Sequence, residues 1–400
     1  MNVVFLNPSG QIGGAERSLL DIMASLRAAR PDWTLGLVAT ADGPLVPAAR
    51  ALGVRVAVVP LPETIARLGD GGASRSASLP RLAGALPAGL GYVRRLRRAV
   101  RALGPDVLHT NGFKMHVLGL WARPRGVPVV WHVHDFVARR PLMSRLLRAH
   151  ARACAAVVAN SHAVAEDVRG LAGGRVRGGV HAVHNAVDLD SFSPGGSRLD
   201  LDERAGLDPA SAGTVRVGLV ATLAWWKGHE TFLRAVSLLP PDLPVRAYVV
   251  GGALYETADS QRSLDDLRAL AARLGVAERV GFTGYVEDAA AAMRALDVVV
   301  HASTEPEPFG LVIVEAMACG RAVVASEAGG AAELFRPGVD ALGHPPGDAA
   351  ELARRIAELA GDAGLRARLG AEGRATAERR FDRARLAAEL VPIYQTAAEQ

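Results

Sequence analysis

Glu305-Pro-Glu-Pro-Phe-Gly-Leu-Val-Ile-Val-Glu-Ala-Met-Ala-Cys-Gly320 lies between two apolar runs, Leu296-Asp-Val-Val-Val-His-Ala302 and Arg321-Ala-Val-Val-Ala325, that read as buried strands. Strand, loop, helix, strand is a parallel βαβ unit, and its ligand crevice lies at the C-terminal ends of the strands. Pro308 suits a first helical position, where a missing N–H costs nothing, and Gly320 suits the helix end. Glu307 then stands at the mouth of the helix and Glu315 two turns inside, about 12 Å apart at ~1.5 Å rise per residue.

Between these two acids lie the amides of Phe309, Gly310, Leu311 and Val312, a helix start that attracts phosphate. One carboxylate on either side of an anion site fits a ligand with hydroxyls at both ends and a diphosphate in the middle, the make-up of a nucleotide sugar. Taken alone, such a pair of glutamates more often marks an ordinary capped helix with a solvated Glu315. The flanking strands, followed by Gly329-Gly330 and Glu333, turn the reading toward a site.

The same pattern repeats outward along the 400 residues, too many for one compact core. Strand-like runs fall at 2–7, 34–39, 54–59, 106–109, 128–134, 155–160 and 180–184, then at 215–221, 245–252, 279–284, 296–302 and 321–325. Helical spacing separates them, as in Leu264, Leu267, Leu270, Ala271 and Leu274. Two such series mean two Rossmann-like halves of an α/β protein. Phe192-Ser-Pro-Gly-Gly-Ser197 has the composition of a linker and places the boundary at 195/196. A last helix near 380–396 carries Leu386, Leu390 and Tyr394 at four-residue spacing and needs an apolar surface to cover. Residues 62–91, rich in Gly, Ala, Ser and Pro, read as a mobile loop region shaping an acceptor cleft.

Half of the residues are apolar and the net charge is +5, so the chain is globular and mildly basic. That charge favours anionic partners such as phosphorylated lipid or a membrane surface. The two cysteines, Cys154 and Cys319, sit in apolar segments with no metal spacing, which fits a reducing cytosol. Val3-Val-Phe-Leu6 is too short for a signal peptide, and no run reaches the roughly 18 apolar residues of a spanning helix. Membrane contact is therefore expected to be peripheral. The segment Tyr92 to Leu103 sets Val93, Leu96, Val100 and Leu103 against five arginines, either a sheet-covering helix with a solvated basic face, the favoured reading, or one that lies on an anionic bilayer.

Other constellations sharpen the picture. Lys227, in Thr222-Leu-Ala-Trp-Trp-Lys-Gly-His229, lies between a strand end and a helix start and is placed to neutralise a diphosphate and stabilise it as it leaves. Ser9-Gly-Gln-Ile-Gly-Gly-Ala-Glu16 sets Gly13 and Gly14 where backbone can approach a ligand. Its spacing is not the dinucleotide fingerprint and no acid ends the second strand, which disfavours a nicotinamide cofactor. In Trp131-His-Val-His-Asp135, His132 and His134 point to one side, with His134 nearer the crevice and His132 a packed or supporting residue. No third ligand accompanies the two histidines, so no metal is expected. Asp188-Leu-Asp190 and Asp200-Leu-Asp202 read as solvated turns and caps.

Together these residues resemble glycosyltransferase family 4, retaining nucleotide-sugar-dependent enzymes of the GT-B fold, in which two Rossmann-like domains face across an interdomain cleft. The resemblance runs from Gly13-Gly14-Ala15-Glu16 to Tyr394. Its most specific parts are EPFGLVIVEAMACG, the Trp-Lys-Gly segment, and Gly329-Gly330 with Glu333; Val249-Val-Gly-Gly252, Thr283-Gly-Tyr285 and Asn185-Ala-Val-Asp188 match weaker positions. The resemblance implies that Glu307 bonds donor-sugar hydroxyls, Glu315 the ribose, and Lys227 the diphosphate, helped by the amides of Phe309 to Val312. It puts Gly251, Gly284 and Tyr285 in the nucleotide site, the latter two by the base. His134 corresponds to an active-site histidine, and Gly13 and Gly14 to a loop facing phosphate and acceptor. The last helix is expected to cross back to the N-terminal domain. Where the family carries an arginine before the lysine this chain has Thr222, and Arg216 or another residue is the candidate substitute.

The expected reaction is transfer of a sugar from a nucleotide diphosphate to an acceptor hydroxyl with retained configuration. A glycan or lipid-linked acceptor, a place in cell-envelope polysaccharide or glycolipid synthesis, and a cytoplasmic location at the inner face of the plasma membrane follow from the resemblance and the charge. No cofactor and no nucleic-acid partner are expected. A sugar-nucleotide epimerase of the same fold and a catalytically silent binding subunit are the alternatives. The first consumes donor without acceptor; the second binds donor without transfer.

Overall fold

The computed structural model describes residues 1–66, 78–252 and 261–400, with backbone alone for 66 and 78–87. It divides into two compact units, Met1–Asn185 with Arg383–Gln400, and Ala186–Asp382.

In the first unit, β1 (Asn2–Asn7), α1 (Gly14–Ala29), β2 (Thr34–Ala39), α2 (Leu45–Ala51), β3 (Arg55–Val58), α3 (Glu63–Ala66) and α4 (Ser78–Leu103) lead to β4 (Val107–Asn111) and α5 (Phe113–Ala122). Then follow β5 (Val129–Val133), α6 (Pro141–His150), β6 (Ala156–Ala159), α7 (His162–Ala172) and β7 (Val180–Ala182). The second unit holds α8 (Leu201–Ala205), β8 (Val215–Val220), α9 (His229–Ser237), β9 (Val245–Val250), α10 (Leu264–Arg273), β10 (Val280–Gly284), α11 (Ala289–Ala295) and β11 (Val298–His301). It continues through α12 (Leu311–Ala318), β12 (Ala322–Ser326), β13 (Leu342–His344), α13 (Ala349–Gly361) and α14 (Ala363–Arg380), after which α15 (Arg385–Ala398) belongs again to the first unit.

Each unit is built on a wholly parallel sheet. The strand orders are β3-β2-β1-β4-β5-β6-β7 and β10-β9-β8-β11-β12-β13. Both reverse direction once, between β1 and β4 in the first and between β8 and β11 in the second. Connections leave opposite faces at those points, so a crevice opens beyond the strand ends there. Every strand expected from the apolar runs is present; β13 adds one that is too short to read as a run.

Alternation explains the layers. Val4, Leu6, Leu108, Val129, Trp131 and Val157 point to one face of the first sheet, into a core shared with Tyr92, Leu96 and Val100 of α4. The apolar stripe Val93, Leu96 and Val100 of that helix is thus consumed by the sheet, as the sheet-covering reading expected. On the opposite face His109, packed against Phe5, meets α15, whose Tyr394 hydroxyl lies 2.8 Å from His109 Nδ1. Leu386, Leu390 and Tyr394 are fully buried there, each leucine contributing ~1.5–3 kcal/mol. Helix ends carry their signals: Ser161, Asp288, Asp348 and Asp362 accept an amide from the first turn that follows, and Gly173 and Gly206 close α7 and α8 in the left-handed region.

Four expectations are corrected. The boundary falls at Asn185 rather than 195, because the expected linker is strapped to the second unit. Val187 N–H donates to Phe381 O at 2.8 Å, Val187 and Phe192 join the apolar core, and the Arg294 guanidinium reaches Ser191 O and Ser197 O. The last helix likewise starts at Arg385, with Arg380 still in α14. Of the expected loop 62–91, residues 67–77 lie outside the described residues, and Ser78 onward is already α4, its Pro80 in the first turn where proline is tolerated. Finally, Asp200 caps α8 as expected, but Asp202 is buried and accepts from Arg216, Arg246 and Tyr248. Burial opposes ionisation of Asp202, and these donors outweigh it, holding its carboxyl well below the usual range. Among the described residues no helix is long and apolar enough to cross a membrane.

Candidate functional site

The clearest cluster of the second unit sits at the β8/β11 reversal. After β8 the chain passes Thr222, half-buried, and a short turn over Trp225–Lys227 before α9 begins. After β11 it passes Ser303 and Glu307 before α12. Thr304 N–H donates to Trp226 O at 2.8 Å and joins the two loops. Close approach of the backbones demands glycine. At Gly228, with φ +76°, a β-carbon would sit 1.8 Å from Ala302 O; at Gly251, with φ +140°, 1.9 Å from Ala221 O.

Lys227 Nζ donates to both carboxylate oxygens of Glu307 at 2.8 Å, and Ser303 Oγ donates to Oε2 at 2.7 Å. His301 Nε2 lies 3.5 Å from the same oxygen. Burial alone raises the carboxyl pKa of Glu307; Lys227 and then His301 more than reverse this, so the group stays ionised well below the usual range. Nearby His229 is held neutral, at about 4, first by burial and then by the charge of Lys227. The sequence assigned Lys227 and Glu307 to different parts of a ligand, whereas here each is the other's counter-ion.

The helix between the two acids begins later than expected. Gly310 takes φ +100° as the N-cap, so α12 starts at Leu311 and Pro308 lies outside it. Phe309 is buried against Phe381 and anchors the turn. Ile313 N–H is taken by Gly310 O at 3.0 Å, which leaves Leu311 and Val312 as the opening amides of the helix. Glu315 is half-buried and one turn inside rather than two. Glu307 stays on the loop, pinned by Gly330 N–H to Glu307 O at 2.7 Å. A second neighbourhood joins Gly251 N–H to Gly284 O at 3.0 Å, with Tyr285, 59% exposed, beside Gly252. Arg216 does not substitute for the arginine replaced by Thr222, because Asp202 holds its guanidinium at 3.0 Å and its own amide is bonded to Asp297 near the start of β8.

The first unit carries its own cluster at the β1/β4 reversal. Gly13 N–H donates to Glu16 Oε2 at 3.1 Å, and Asn7 Nδ2 donates to Glu16 Oε1 at 3.2 Å and to Ser9 O at 2.8 Å. Asn111 Nδ2 donates to Asn7 Oδ1 at 2.7 Å, and Asn111 Oδ1 meets His134 Nε2. A continuous polar chain therefore joins the Gly13-Gly14 loop to His134. His132 and His134 share a side as expected, ring centroids 3.9 Å apart. Burial lowers the pKa of His134 to about 4 and that of His109 to about 3, and pushes His132 and His116 down as well.

Sequence reasoning missed Asn7, Asn111, His301 and Ser303. The signal that marks them is a polar residue closing or just following an apolar parallel strand, as Asn7 closes β1, Asn111 closes β4 and His301 closes β11.

Comparison with known proteins agrees in both units. Residues 12–191 match the family described as Glycosyltransferase Family 4, and residues 211–376 match Glycosyl transferases group 1. A D-inositol 3-phosphate glycosyltransferase of Catenulispora acidiphila is 31% identical over 377 residues, covering 88% of this chain and 85% of that protein. Another so named, from Xylanimonas cellulosilytica, is 36% identical over 255 residues, 61% of this chain and 58% of its own length. The match to Mycobacterium relatives of the same name spans 37% of their length. Anabaena HepE, solved in complex with UDP and glucose, superimposes with a TM-score of 0.79 at 29% identity, covering 99% of each chain.

Proposed function

The chain belongs to glycosyltransferase family 4, and on that premise we propose that it moves a sugar from a nucleotide diphosphate to an acceptor hydroxyl with retention of anomeric configuration. The observation that carries this reading is the Lys227–Glu307 pair at the β8/β11 reversal, beside the opening amides of α12. A diphosphate entering there competes with Glu307 for Lys227 and frees the carboxylate to accept sugar hydroxyls. The complex of HepE with UDP and glucose supports a uridine nucleotide as the first donor to test.

In the step itself the bond from the anomeric carbon to the β-phosphate oxygen breaks as one to the acceptor oxygen forms on the same face. The acceptor proton passes to the leaving phosphate. Lys227 and the amides of Leu311 and Val312 face the charge that develops on that phosphate. Gly284 and Tyr285 hold the base, Gly251 lies in the same nucleotide site, and Glu315 holds the ribose. Thr222 adds no cation, so Lys227 carries more of the diphosphate's charge.

A thermal-shift panel of nucleoside diphosphates and nucleotide sugars tests the donor. A ligand at ~100 times its Kd adds ~2.7 kcal/mol to stability, several degrees in Tm. The ligand that shifts Tm is then incubated alone and with acceptors, including glycans, lipid-linked glycans and inositol phosphate, the acceptor in the relatives' names. Product with retained configuration is expected only with an acceptor. Binding by no nucleotide, or donor conversion without acceptor, rejects the reading.

We further assign the first unit a peripheral contact with anionic membrane at the cytoplasmic face, placing transfer in envelope glycan or glycolipid synthesis. Arg94, Arg95, Arg98 and Arg101 are exposed on α4, which also exposes Leu90, and Arg97 of the same helix reaches the carbonyl of the exposed Trp121. With the apolar stripe of α4 buried, the attraction is electrostatic, on the order of 1 kcal/mol per arginine close to the surface. The protein should sediment with phosphatidylserine vesicles at low salt, release in high salt, and ignore neutral vesicles. Equal recovery with both vesicle types removes the membrane from the account.

A further inference from the structure

The polar chain of the first unit has a direction that fixes the proton of His134. Two hydrogens of Asn7 Nδ2 are spent on fixed acceptors, the Ser9 carbonyl at 2.8 Å and the Glu16 carboxylate at 3.2 Å. Glu16 is in turn anchored by the Gly13 amide at 3.1 Å. Asn7 Oδ1 must then face Asn111, so that Asn111 turns its Nδ2 to Asn7 at 2.7 Å and its Oδ1 to His134 Nε2. An amide oxygen can meet that nitrogen only if the nitrogen carries hydrogen. Asn7 and Asn111 are both buried, 0% and 1% exposed, so water does not offer either amide an alternative partner.

We propose that Asn7 and Asn111 are positioning residues that lock His134 in the Nε2–H tautomer, leaving an Nδ1 lone pair as the one hydrogen-bonding group its ring has to offer. Nδ1 is shielded from solvent and has no partner among the described residues. The chemistry that satisfies it is a hydroxyl hydrogen, as on a sugar, and not a phosphate oxygen, which needs a donor. The locked ring is consequently a hydroxyl acceptor, and the neutral state that burial imposes on it fits that role. The hydroxyl as ligand rests on the reading of this chain as a sugar transferase. The lock itself does not.

The test uses the full-length protein with nitrogen-15 labelled histidine at pH 7.5, the His134 signal being identified as the one absent from His134→Gln. Two-bond nitrogen–proton correlations separate the tautomers. The wild type should show His134 as a single Nε2–H form, a measurement that needs no variant to fold. In Asn7→Leu the amide of Asn111 is released to turn over, and in Asn111→Leu the acceptor is gone; both should show a mixture with Nδ1–H. With whichever donor the protein uses, Asn111→Leu should lose turnover roughly tenfold, as when a residue orienting a functional histidine is removed, with donor affinity unchanged. An Nδ1–H or mixed wild type overturns the lock, and folded variants that keep pure Nε2–H show that these asparagines do not set it. A protein with the lock but no transfer activity instead fails the functional reading alone.

Discussion

Lys227→Ala should lower turnover by ~10²–10³ under saturating donor, the range for loss of a preorganised charge that stabilises a leaving oxyanion. The substitution removes the cation that faces the proposed leaving phosphate. It also strips Glu307 of its bidentate partner at 2.8 Å. With Lys227 gone, Ser303 and His301 are what remains beside that carboxylate, and burial moves its pKa back up. Donor binding should weaken along with turnover, because Thr222 supplies no second charge. Initial-rate kinetics with the donor found by thermal shift give both numbers. Turnover within a factor of about three of wild type would remove Lys227 from the chemistry.

The first unit should lose stability steeply on mild acidification, before Glu307 of the second unit is affected. His109, His116, His132 and His134 are held neutral in the folded state, chiefly by burial, and a free histidine titrates near 6.5. Each folded pKa lies below the unfolded one, so the unfolded chain takes up protons first as pH falls. Their contribution is complete above pH 6.5 and drains away as pH drops toward the folded values, about 4 for His134 and about 3 for His109. Each neutral histidine adds a slope of ~1.4 kcal/mol per pH unit within that window. Four together rival the ~5–15 kcal/mol of a whole domain. Glu307 obeys the same sign rule in another window, its contribution intact above 4.5 and lost only below it. With Trp225 and Trp226 of the second unit replaced by Phe, Trp131, stacked on His116 with ring centroids 5.4 Å apart, and the other tryptophans of the first unit report that unit by fluorescence. Its urea midpoint should fall sharply between pH 7.5 and 5; a flat midpoint contradicts the buried-neutral assignment.

The strands were legible because buried parallel strands carry continuous apolar runs, and the crevice was legible because the Glu305–Gly320 segment joins two of them. The start of α12 was not. Pro308 is a good first helical residue, but Gly310 in the left-handed region and the buried Phe309 ring set the true start three residues later. Nor was the pairing of Lys227 with Glu307 visible, since 80 residues separate them and only the neighbouring of β8 and β11 unites them. Asn7 and Asn111 were hidden for the same reason. Each looks like an ordinary loop residue until β1 and β4 lie side by side. The linker was misplaced because Ser, Pro and Gly describe local freedom and say nothing of Arg294, which ties that segment down from 97 residues away.

Tyr394 closes over His109, itself packed on Phe5, from a helix that follows the whole of the second unit in the chain. During synthesis the N-terminal sheet is therefore laid down before α15 can pack on it, while the central unit, contiguous from Ala186 to Asp382, already has all of its strands. The nascent chain must keep the side chains that await α15 from sticking elsewhere until that helix emerges.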